Sequence, residues 1–368
     1  MIGSKIFNPT LIQQFREQFN NGGFGYLRYS NRNGKNDFGA ICSAMDWIEV
    51  SIDYLINTKI TKSRDNIMSM QVFSLIMAVD MICECITTMH RVIFNTSKNE
   101  VPFSDRNDVF LQEKSDNLHF KNLRAAFGAH STDLTKMAPS EKKYSSWSVD
   151  KVLGYDYAVF LYSSIPGKKA DIYGFQIDDI LRFAKIRYEY INILIIELQK
   201  QYADIQEQFM NTPIRKSNNL AERISFLIDS AEERFGRSDY YHALIDIEIM
   251  LNTPCSYTEN EETILEYKQK LLLAIDNIEN NMQHMEYEQF PALSIVNPDC
   301  PLEISYDIEK AFEAIRQGGW YTQMLPLHLK RVAPYLKRVQ CISPELGSDE
   351  LLLLINAGLY FSYIERAE

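Results

Sequence analysis

Apolar positions recur at helical spacing along most of this chain. The first periodic run, "PTLIQQFREQFN", sets Pro9 just inside a helix start and is closed by Asn21-Gly22-Gly23. A polar and basic loop is expected over 22–37, and residues 38–58 resume the period. Residues 65–95 are apolar around most of their circumference. That pattern predicts the most buried helix, capped by Asp65 or Asn66, with 42–58 and 177–212 packed on it. Another helix is predicted over 117–130. The β-rich runs "YDYAVFLYSS" (155–164) and "KADIYGFQ" (169–176) then read as a hairpin, with Pro166-Gly167 placed for a type II turn. Residues 177–212 return to helical spacing as one long helix, opened by Asp178 and Asp179 near its positive end. "NTPIRKSNN" (211–219) reads as a linker. Shorter helices follow at about 221–235, 239–251, 260–285, 305–317, 326–339 and 348–365. The expected fold is all-α: a helical bundle over 1–212 with a small β-hairpin insertion near 155–176, then a second helical domain over 213–368.

A length of 368 residues exceeds what one hydrophobic core usually serves, which supports two domains. The 21 Tyr and 20 Phe against only 15 Gly and 12 Pro suit long helices packed by aromatics. Charge is divided unevenly. Residues 1–212 hold 24 Lys+Arg and 24 Asp+Glu, so the remaining 14 basic and 25 acidic residues carry the whole net charge of −11. An acidic half repels a phosphate backbone, so any RNA contact is expected in the first half, and the acidic half is a candidate docking surface for a protein partner. The six cysteines show no disulfide spacing, and Cys83-x-Cys85 on an apolar helix reads as core packing. The opening "MIGSKIFNPTLIQQFREQF" has polar residues where a secretory leader needs an apolar core, so cytoplasm is expected. No membrane span is expected either. The run 70–86 is interrupted by Asp80 and Glu84, and 351–364 is short for a bilayer.

Candidate chemistry centres on "NLHFKNLRAAFGAHSTDL" (117–134), where five residues separate Arg124 from His130. At about 100° per residue, Phe120, Leu123 and Phe127 fall within an arc of roughly 60°. Arg124 borders one edge of that stripe and His130 the other, about 9 Å apart along the axis. Such a stripe can dock on the core or on another subunit. One reading is structural: His130 suits the negative end of a helix, and Arg124 covers apolar surface with its stem. The other is chemical. Neutral His130 can move a proton near neutral pH while the Arg124 fork holds a phosphate and offsets developing charge. Asp133 is placed to orient the imidazole.

An all-helical domain carrying Arg, four to six residues and then His at a helix end resembles the HEPN superfamily. The resemblance implies a four- or five-helix bundle over about 40–212 and a metal-independent endoribonuclease of toxin or phage-defence type. It further implies a homodimer in which the two Arg–His motifs face each other, with Arg124 on the phosphate and His130 as acid/base. Arg28, Arg32 and Lys35, interleaved with Tyr26 and Tyr29, could grip single-stranded RNA or form a plain solvated loop. Asp80 and Glu84 share one face of an apolar helix, as a buried polar network near the site or as a water-facing edge. The basic run "LHLKRVAPYLKRV" (327–339) reads as a surface helix paired with surrounding acids. No HExxH, P-loop or Ser–His–Asp ordering occurs, so no metal and no cofactor is expected. The second functional reading is a non-catalytic helical interaction protein docking through its acidic C-terminal half.

Overall fold

The longest apolar run forms the helix around which the N-terminal part of the chain is organised. The computed structural model describes residues 6–60, 66–97, 100–112, 115–129, 131–134, 141–147, 152, 154–286, 294–296, 298–317 and 323–367. It is mostly helical with one small antiparallel sheet, in agreement with the expected class. The chain divides into two compact units, Met1–Tyr202 and Ala203–Glu368.

In the first unit, α1 (Leu11–Asn20), α2 (Phe24–Tyr29) and α3 (Asp37–Asn57) precede α4 (Asn66–Ile93). The predicted cap Asp65 lies outside the described residues. By length, and by a mean hydropathy of 1.8 in its most apolar window, α4 matches a membrane span. Here Val72, Leu75, Val79 and Ile86 are buried, and α3 and α6 (Ile177–Glu189) pack on the helix. The Asn36 side chain accepts from the Gly39 amide at 2.9 Å and caps α3. Just before it, Asn33 and Gly34 both take positive φ (55° and 73°) and reverse the chain between Arg32 and Lys35.

Helix α5 (Asp116–Arg124) follows, and its last turn widens into a π-helical segment, Ala125–Ala129. The sheet has the order β1 (Lys143–Trp147), β2 (Tyr157–Ser163), β3 (Asp171–Phe175), so the predicted hairpin gains a third strand. Trp147 of β1 and Phe175 of β3 meet Phe127 edge-on, with ring centroids 5.3 and 5.0 Å away. The helix expected over 177–212 is broken at Tyr190 into α6 and α7 (Ile191–Met210). The Asn192 amide donates to the Glu189 carbonyl at 2.9 Å, a local side-chain bond that competes with the helical ladder.

The second unit consists of helices α8 (Leu220–Phe235), α9 (Asp239–Asn252), α10 (Glu261–Gln283), α11 (Ser305–Gln317), α12 (Leu325–Val332) and α13 (Ser348–Ala367). The apolar run of α13 is buried almost all round because α9, α10 and α11 pack on it. The predicted basic helix is shorter than expected. Pro334 cannot supply the next amide, and α12 ends at Val332 in a 3-10 turn. Arg331 and Arg338 still pair with acids, Asp307 at 3.3 Å and Glu266 at 2.9 Å. Buried Arg234 donates to the carbonyls of Phe209 (2.9 Å), Thr212 (2.6 Å) and Met282 (3.2 Å), which ties the stretch before α8 to the end of α10.

Candidate functional site

The Phe120–Leu123–Phe127 stripe folds inward. Phe120 stacks on Phe183 of α6 at 4.6 Å, and Phe127 is covered by the sheet, so the stripe is consumed within its own chain. It is therefore not a surface for a second subunit. Burying the stripe leaves Arg124 at its edge, beside α4. Arg124 Nη1 donates to Asp80 Oδ2 at 2.6 Å and lies 3.5 Å from Glu84 Oε1. Asp80 is buried while Glu84 reaches water, so the two acids divide between the readings weighed for them. The hydrogen bond donated to Asp80 and the field of both acids raise the Arg124 pKa, and the guanidinium is a fixed cation. Arg124 Nε is buried without a hydrogen-bond partner, although Nη1 is doubly engaged.

Position 130 lies outside the described residues, and so does the predicted role of His130. Its neighbours are held on both sides. The π-helical segment precedes it, where Gly128 is required: a Cβ there would stand 2.1 Å from the Phe73 ring of α4. After it, the Ser145 amide donates to the Ser131 carbonyl at 2.7 Å and the Leu134 amide to the Lys143 carbonyl at 3.1 Å, which fastens 131–134 along β1. Asp133 is exposed, and its carboxylate lies 3.4 Å from Lys142 Nζ.

Arg124 lines a cavity of about 450 Å³ together with Asp80, Cys83, Glu84, Asn117, Lys121 and Arg187. Its remaining walls are largely apolar, among them Ile86, Val101, Pro102, Phe103 and Phe120. Arg187 is 2% exposed. It donates from Nη1 to the Phe183 carbonyl (3.1 Å) and from Nη2 to Asn117 Oδ1 (2.6 Å), and its guanidinium lies 3.3 Å from the Phe183 ring centroid. Neither hydrogen-bond partner is charged, and burial pushes its pKa down to about 10. Asn117 is itself fixed, donating to the Phe103 carbonyl at 3.1 Å. Phe103 has φ of 66°, a strained setting for an aromatic residue. The neighbouring buried Asp116 accepts from the amides of Asp108, Val109 and Phe110 and holds the loop before α5.

Sequence reasoning did not single out Arg187 or Asn117. Ile180, Phe183, Ala184 and Arg187 share the core face of α6 at helical spacing. An arginine inside that stripe was the available signal.

The three residues expected to grip RNA separate. Arg32 is committed to the fold: it lies 3.0 Å from Asp37, donates to the Val92 carbonyl at 2.6 Å and sits over the Tyr29 ring. Tyr29 is buried and donates to Gln201 at 2.8 Å, so its face is not open to a base. Arg28, Lys35 and Tyr26 are exposed. Among the described residues, no group of three or more His, Cys, Asp or Glu is arranged to hold a metal ion. Comparison with protein-family models, curated proteins and solved structures finds no match to the chain.

Proposed function

We propose that the chain is a HEPN-like, metal-independent endoribonuclease of the toxin or phage-defence type, acting in the cytoplasm. The observation that carries this reading is Arg124 itself. It is a cation held in place by Asp80 and Glu84 at the edge of a cavity, with 24% of its side chain exposed. A phosphate oxygen is the acceptor that fits a guanidinium edge, and a positioned fork offsets charge that builds up on the phosphorane in the transition state. His130, six positions on, takes the proton of the RNA 2′-hydroxyl as that oxygen attacks its own phosphate, then returns one to the leaving 5′-oxygen. The products are a 2′,3′-cyclic phosphate and a 5′-hydroxyl. Asp80 acts as a positioning residue, and Asp133 as an auxiliary one for the imidazole. The family resemblance extends the proposal to a homodimer, which needs a surface other than the Phe120–Leu123–Phe127 stripe.

The test is cleavage of total RNA by the purified chain in the presence of EDTA. His130→Ala and Arg124→Ala should each reduce cleavage by roughly three orders of magnitude, and the double variant should be little worse, since the two residues act as a unit. Asp80→Asn should lose roughly tenfold to a hundredfold in kcat with KM nearly unchanged, because it loosens a group that binds mainly the transition state. Equal degradation by wild type and all four variants overturns the proposal and leaves the non-catalytic interaction protein as the standing alternative.

A further inference from the structure

The cavity beside Arg124 contains more cationic character than the cleavage step uses. Arg187 is a nearly inaccessible guanidinium whose hydrogen bonds go to a backbone carbonyl and a neutral amide. Lys121 adds a second cation on the exposed side of the same cavity. The fields of Asp116 and Asp108 only partly offset the burial of this cation, and an anionic occupant reduces the remaining cost. The other walls are apolar and aromatic, and the volume of about 450 Å³ suits a ligand of nucleotide size. Asn117 is locked by Arg187 on one side and the Phe103 carbonyl on the other, so the cation is aimed rather than loose.

We propose that this cavity seats one nucleotide of the RNA next to the scissile bond, its phosphate on Arg187 and Lys121 and its base against the Pro102–Phe103 wall. The proposal rests on the ribonuclease reading, because Arg124 lines the same cavity. A phosphate beside an apolar base is the shared chemistry of an RNA residue and of a free nucleotide, and length of strand tells them apart. A base on an apolar and aromatic wall binds without strong sequence preference, so the site selects single-stranded RNA by shape and charge.

The experiment is calorimetric titration of the full-length His130→Ala chain, in which binding is read without cleavage. The probes are inorganic phosphate, adenosine 3′-monophosphate and a 2′-O-methylated tetranucleotide. The mononucleotide should bind roughly tenfold tighter than phosphate, and the tetranucleotide tighter again. Arg187→Met should weaken both nucleotide probes by roughly tenfold, and Lys121→Ala by roughly threefold. Lys121 is exposed, so its variant keeps the test valid if Arg187→Met fails to fold. Unchanged affinity in the Lys121→Ala protein together with unchanged affinity in a folded Arg187→Met protein overturns the proposal, as does absence of nucleotide binding at millimolar concentration. A mononucleotide that outcompetes the tetranucleotide also overturns it and makes the cavity a free-nucleotide site. RNA cleavage by the wild type without nucleotide binding here sinks the subsite alone. Nucleotide binding here without any cleavage sinks the ribonuclease reading, and with it the RNA form of this proposal.

Discussion

Arg187 in the first unit and Arg234 in the second are both buried and both set against phenylalanine rings, yet they are satisfied differently. Arg234 spends its donors on three backbone carbonyls drawn from two separate stretches of chain, the work of a clamp. Arg187 has one carbonyl of its own helix and one amide oxygen, and faces a cavity. Burial lowers the pKa of both, and pushes that of Arg187 down to about 10. Holding that charge therefore costs on the order of a few kcal/mol. A buried arginine is not by itself a sign of function. What separates the two is whether the fold has already supplied the acceptors.

The largest expected difference comes from replacing each guanidinium with an apolar chain of similar length. Arg234→Met removes three hydrogen bonds that join two stretches of chain, one of them to the buried Met282 carbonyl, and should lower stability by about 3–5 kcal/mol in urea unfolding. Arg187→Met removes an expensive charge along with two bonds and should stay within about 1 kcal/mol of wild type. Equal losses in the two variants would break the comparison and make Arg187 a clamp as well.

Two glycines extend the contrast at smaller scale. Gly128→Ala drives a Cβ into the Phe73 ring and should cost about 1–3 kcal/mol by thermal melting. Gly347→Ala, where a Cβ meets nothing within 4 Å, should stay within about 0.5 kcal/mol. A harmless Gly128→Ala would mean that the π-helical segment shifts freely against α4.

The smallest effect is a pH dependence seated in the first unit. Burial lowers the pKa of His90 and His119 below the usual 6.5, with Glu100 and Asp116 only partly opposing it. His90 Nδ1 lies 2.8 Å from the Tyr190 hydroxyl, and His119 packs on Phe110 and Tyr173. The unfolded chain binds these protons first as pH falls. The stability they supply is therefore complete above about pH 6.5 and is lost as pH drops through the lowered folded-state values. Melting scans from pH 7 to 5.5 should show His119→Phe losing roughly 1–2 °C less than wild type. An identical slope in both would remove His119 from the account.

Five of the six helices expected in the second half were legible within a residue or two, because amphipathic periods and the caps at Asn219 and Gly236 mark their ends, whereas the one expected over 326–339 stops at Val332. Strand β1 was not. "KYSSW" is too polar to announce itself and becomes a strand through its ladder to β2. The break at Tyr190 depends on one asparagine turning back on the helix, which apolar spacing does not encode. At the candidate site, Arg124 was visible from its position at the edge of a stripe. Its acidic partners sit 44 and 40 positions away in sequence and needed the packing of α5 beside α4 to be paired with it. Arg187 was legible in principle, as a charge on a core face, but the cavity that gives it meaning exists only in three dimensions.

Cys83 gives that cavity a chemical clock. Its thiol lies in the wall and burial raises its pKa to about 12, so the reactive thiolate is scarce at neutral pH. Alkylation there is slow for that reason, although the residue is only part-buried in the cavity wall. Modification of this one sulfur over hours therefore reads access to the cavity, one irreversible event at a time, and an occupant lodged against the wall slows it.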